Sequence, residues 1–76
     1  MNAIKVTAEK SFEIECQDVM DYINDTQKGI VFQLPTTGDK VEFLAVAKDS
    51  DAISEIKSTF QNEAECNVED ITNYKL

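Results

Sequence analysis

Between Gly29 and Ala64 the apolar residues change their spacing from two to about 3.6, which limits this chain to a sheet with a helix lying across it. Ile30, Phe32 and Leu34 alternate with Val31 and Gln33, and Gly29 and Pro35 punctuate the ends. This predicts a strand over Ile30–Leu34. The turn is Pro35-Thr36-Thr37-Gly38-Asp39, where Gly38 can take the positive φ that a hairpin loop often needs. A return strand follows over Val41–Ala47, with Val41, Phe43, Ala45 and Ala47 on one face and Glu42, Leu44 and Val46 on the other. Leu44 and Val46 predict a central strand covered on both sides at one end. Asp49, Ser50 and Asp51 then offer N-caps to a helix over Asp51–Glu63, whose Ile53, Ile56, Phe60 and Ala64 share one side.

The N-terminal half is less determinate. Ile4, Val6 and Ala8 alternate with Lys5 and Thr7, a strand over Ala3–Ala8. Phe12, Ile14 and Cys16 alternate with Glu13, Glu15 and Gln17 as in a second strand, with Ala8–Ser11 as its turn. Yet Phe12, Cys16, Val19, Met20 and Ile23 also fit one helix face. A helix through these residues turns Ile14 into water and a strand buries it, so the strand is the preferred reading. A short helix then runs from Asp18, its N-cap, to Gln27, with Lys28-Gly29 as its stop. The segment Cys66–Leu76 reads as a last strand, with Val68 and Ile71 out of phase and a bulge expected near Glu69-Asp70. The fold class is therefore α+β, an antiparallel or mixed sheet of four to five strands with two helices. The order is ββαββαβ, or βαββαβ, the ferredoxin-like split βαβ, if residues 11–16 are helical.

Seventy-six residues make one domain, residues 1–76. A chain this short buries roughly 60% of its unfolded surface, so its core is small. No apolar run approaches the roughly 18 residues of a membrane span. Met1-Asn2-Ala3 opens neither the basic start nor the apolar segment of a signal peptide, so the expected compartment is the cytoplasm. Cys16 and Cys66 form no CxxC and read as two small buried residues, paired only if the strands carrying them are neighbours.

Charge restricts function more than any motif. Fifteen Asp and Glu oppose seven Lys, with no Arg and no His, for a net charge of −8. Such a surface repels nucleic acid and anionic lipid and attracts basic surfaces. Without histidine there is no imidazole base, triad or histidine metal ligand. Asp49-Ser50-Asp51 opens like a calcium loop, but Ile53, Ser54 and Phe60 stand where a ligand, the turn glycine and the closing glutamate belong. The Pro35–Asp39 loop lacks the glycine spacing and Lys-Ser/Thr of a phosphate cradle. No catalytic, cofactor-binding or metal-binding residue is expected, and the chain reads as a non-enzyme.

What remains is acidic patterning. Asp18, Asp21 and Asp25 recur at helical spacing, with Glu13 and Glu15 on the preceding strand; Asp49, Asp51 and Glu55 cluster at the start of the second helix. These eight residues are the expected partner-binding set. In size, acidity, absence of His and Arg, and α+β pattern, the chain resembles small inhibitors encoded by phages and mobile elements, the anti-CRISPR proteins and DNA mimics. The likeness is one of overall character and carries no family motif. It implies an inhibitor that engages a basic, nucleic-acid-binding protein in the cytoplasm of a bacterial host. The alternative is a small structural or regulatory module, a homodimer or complex subunit, whose acidity serves solubility. In a homodimer, strand addition would use the Ile4 or Tyr74 strand as its free edge.

Overall fold

The hairpin–helix unit forms as its spacing dictates. In the computed structural model, which describes residues 1–72, β2 (Ile30–Leu34) and β3 (Lys40–Ala47) form an antiparallel hairpin and α2 (Ser50–Glu63) follows. Gly38 takes φ +91° in the loop. Asp49 caps α2, its carboxylate accepting from the Ala52 N–H at 2.9 Å. Strand β1 (Asn2–Glu9) precedes a single 3-10 turn and α1 (Glu13–Asp25), and β4 (Cys66–Asp70) closes the sheet.

The sheet order is β2-β3-β1-β4, with every neighbouring pair antiparallel. β1 and β2 are each antiparallel to the β3 that separates them, so they run in the same direction. That is the split βαβ of the ferredoxin-like arrangement. The fold is thus α+β with four strands and two helices, and its element order is βαββαβ.

Residues Phe12–Gln17 do not form the preferred second strand. β1 is flanked by β3 on one side and β4 on the other, so a hairpin partner has no edge to pair with. The helix instead places Cys16, Val19 and Ile23 in the core, with Phe12 and Met20 at its margin, and leaves Ile14 70% exposed. Three buried side chains outweigh one exposed one. Asp18 is consequently in mid-helix and is not an N-cap.

The stop of α1 also differs from Lys28-Gly29. The N–H of Gln27 donates to the Asn24 carbonyl and that of Lys28 to the Ile23 carbonyl, a Schellman closure. Gln27 occupies its left-handed position at φ 59°. Gly29 serves close approach: a Cβ there would lie 2.7 Å from the Val46 carbonyl oxygen and 2.8 Å from Ile56 Cδ1.

Both helices cover one face of the sheet. Ile4, Val6, Ala8, Val31, Val41, Phe43, Ala45 and Ala47 point into the core and meet Cys16, Val19, Ile23, Ile56, Phe60 and Ala64. The rings of Phe43 and Phe60 sit 6.0 Å apart at 43° in its middle. A thickness of 17 Å leaves room for these two layers and no third. Leu44 and Val46 are therefore not covered on both sides. They lie on the open face, half-buried by neighbours within their own sheet. The β1–β4 register is unbroken from Ala8↔Cys66 to Ile4↔Asp70, so the expected bulge is absent and the out-of-phase Ile71 continues on the open face. β4 ends at Asp70, and Tyr74 lies outside the described residues. β1, which carries Ile4, is central and offers no free edge.

Two stability outcomes follow from this packing. Phe60→Ala removes half of the central ring pair and should lower unfolding free energy by about 3–5 kcal/mol in urea titrations. Gln27→Gly relieves the left-handed strain and should raise it by about 1 kcal/mol, measured the same way.

Candidate functional site

The acidic residues gather on α1. Its sequence from Glu13 to Asp25 holds five carboxylates and no basic residue. The buried side of the helix is set by Cys16, Val19 and Ile23. At 100° per residue, Asp18, Asp21 and Asp25 then fall within about 40° of Ile14, on the side facing solvent. All three are exposed. They climb the helix in axial steps of roughly 4.5 and 6 Å. Tyr22, 50% exposed, borders the same stripe. The face is thus a row of carboxylates around one exposed isoleucine and one exposed tyrosine.

The other expected residues have different surroundings. Glu13 and Glu15 do not share a face as they would on a strand, because two helical steps turn them about 160° apart. Glu13 points to the hairpin, where its Oε2 accepts from Gln33 Nε2 at 2.8 Å, and Gln33 Oε1 accepts from Gln17 Nε2 at 3.0 Å. Glu15 is half-buried on the opposite flank. Asp49 is engaged as the α2 cap. Glu55 pairs with Lys28 across 3.0 Å, and that contact holds the Lys28 ammonium pKa above its ordinary value. Asp51 is exposed. Since α1 and α2 run antiparallel, Asp25 and the Asp49–Asp51 pair lie at the same end of the molecule.

Ile14 and Tyr22 share the exposed side of α1 with the aspartates, although the acidic pattern alone does not select them. The signal was available: on a helix Ile14 stands opposite Cys16, Val19 and Ile23. The isoleucine that favours a strand reading is exposed on the helix, beside the carboxylates.

Asn24, one step round the helix from this stripe, has a structural role. Its Nδ2 donates to the Val31 carbonyl and its Oδ1 accepts from the Val31 N–H, each at 2.8 Å. These are the outward-facing backbone groups of β2. One side chain therefore takes the position of a fifth strand and locks α1 to the sheet edge.

Among the described residues no three Asp, Glu or Cys side chains lie together in a way that could hold a metal ion. A surface depression of about 740 Å³ is open and lies between Phe12, the end of α2 and the start of β4. Of its lining groups Glu9 is paired with Lys40, and burial raises the Cys66 thiol pKa. Cys16 and Cys66 are both free thiols. Burial, then the negative charges of Cys66 and Glu15, push Cys16 up to about 11. Neither is an activated nucleophile at neutral pH. No helix of the described residues is long and apolar enough to cross a membrane.

The Cys16 environment sets a pH dependence. The folded thiol, near 11, holds its proton while an unfolded one near 9.0 releases it. The stability this represents is complete below pH 9 and is lost as pH rises from 9 through 11. Urea denaturation at about pH 8 and about pH 10.5 should show that decline, and Cys16→Ala should flatten it. No protein-family model, curated protein or solved structure matches this chain.

Proposed function

We propose that this chain is a non-enzymatic acidic binding protein, an inhibitor that lays the solvent face of α1 on the basic, nucleic-acid-binding surface of a partner protein, in the manner of anti-CRISPR or DNA-mimic proteins. The observation that carries the reading is the Asp18, Asp21 and Asp25 row with Ile14 and Tyr22 exposed inside it. Carboxylates steer a cationic partner and set its register. An exposed tyrosine and isoleucine supply the desolvated contact that charge alone lacks.

The placement of the charges supports a functional origin. Asp25 sits in the last turn of α1, where no basic residue offsets it. The helix dipole is already negative there, so the position disfavours folding by about 0.3–1 kcal/mol. Like charges at i, i+3 and i, i+4 oppose it by a few tenths more per pair. Solubility requires net charge but not this concentration on one helix. The partner class is a protein rich in exposed Lys and Arg. Direct binding of DNA or RNA is disfavoured by the same charge.

The test is a triple reversal, Asp18→Lys, Asp21→Lys and Asp25→Lys. All three side chains are exposed, so circular dichroism should be nearly unchanged, and thermal unfolding should hold or move slightly upward, because Lys at position 25 suits the negative end of the helix dipole. Capture of a basic nucleic-acid-binding protein from host lysate should be lost, and capture by the wild type should weaken above roughly 0.5 M salt. Binding that survives the reversal removes α1 as the contact and leaves the acidity to solubility, the reading as a structural or regulatory module.

A further inference from the structure

We infer that the open face of the sheet, opposite the acidic helices, is a self-association surface on which a second copy of this chain seats sheet against sheet. The register lays out its content. Ile30, Val46 and Ala3 form one row across β2, β3 and β1, and Ile71 extends it, its N–H donating to the Ala3 carbonyl at 3.0 Å. The next row begins with Phe32 and Leu44. Ile30 is 64% exposed and Phe32 44%. These apolar side chains are contiguous on a face that no helix of the described residues covers, which marks an interaction surface.

Charge selects the occupant. Each copy carries −8, so two copies repel almost everywhere. The open face is the exception, because its charges are largely internally paired: Lys5 with Glu42 at 3.4 Å, and Lys40 with Glu9. A basic partner is drawn to α1. With Lys5 and Lys40 against Glu9, Glu42 and Glu69 the face is only weakly charged, and the surface that matches it is another like it, which a second copy presents. Edge-to-edge growth at β2 is hindered where Asn24 occupies the backbone groups of Val31. Stacked sheets sit about 10 Å apart, and the two acidic helical layers then point outward on opposite sides. The 31 × 27 Å breadth of the molecule has room for the roughly 800 Å² per partner of a standard interface, though only part of it is apolar. The association is therefore reversible, with dimer near about 100 μM and monomer below about 1 μM.

Sedimentation velocity of the full chain across that range, at about 0.05 and about 0.5 M NaCl, tests this. The expected result is a dimer that holds or tightens at high salt, as screening relieves the residual repulsion. Phe32→Lys should weaken it at least about tenfold while lowering the net negative charge, so added repulsion cannot be the cause. Asp21→Lys should leave the dimer in place, which separates this surface from the α1 contact. A wild-type monomer at all concentrations and both salts overturns the inference and leaves the face to a different protein; a Phe32→Lys dimer as tight as wild type also overturns it. Should Phe32→Lys fail to fold, amide shifts of the wild type on dilution decide. Changes centred on Phe32, Leu44 and Val46 uphold the inference, and changes confined to α1 or to β4 overturn it.

Discussion

The contact between Phe43 and Phe60 organises this molecule. It joins the centre of β3 to the buried side of α2, and both rings are fully withdrawn from water. With a core this small, one large ring pair supplies a substantial share of the burial. Every other core residue is a smaller side chain arranged around it. The consequence is one-sided: the two helices cover one face of the four-strand sheet, and among the described residues no element covers the other.

That asymmetry sorts the surface. The helices face water on their outer sides, and they carry most of the net negative charge. α1 carries five carboxylates without a single lysine, and three of them share its outer face. The open sheet face keeps its ion pairs internal and its apolar residues contiguous. The two surfaces differ in the forces they can exert. One acts at a distance and weakens with salt, and the other acts on contact and does not. Asn24 lies at the edge between them. By satisfying the backbone of Val31 it fixes α1 to the sheet and blocks the middle of the β2 edge.

The hairpin and α2 were legible because each had punctuation and an uninterrupted period. α1 was not, because Phe12–Gln17 satisfies both periods over six residues and Ile14 argued for the wrong one. Burial of every apolar residue is a poor criterion in a small domain, whose surface always retains some. The expected bulge near Glu69-Asp70 has the same origin: Val68 and Ile71 are out of phase, yet the strand keeps a regular register and leaves Ile71 on the open face. Of the acidic set, Asp18, Asp21 and Asp25 have the shared helical side that their spacing implied. Glu13, Asp49 and Glu55 are engaged in hydrogen bonds or ion pairs that spacing cannot reveal.

Sequence alone determined the α+β class, the hairpin, the amphipathic α2 and the excess of negative charge, because these depend on local period and composition. Only the tertiary structure decided that β1 is central, that residues 13–25 form one helix and that Leu44 and Val46 face outward. Those outcomes depend on which strand edges are already occupied and on how many helices are available to cover a sheet. Both are properties of the whole chain, set by long-range pairing that no local window contains.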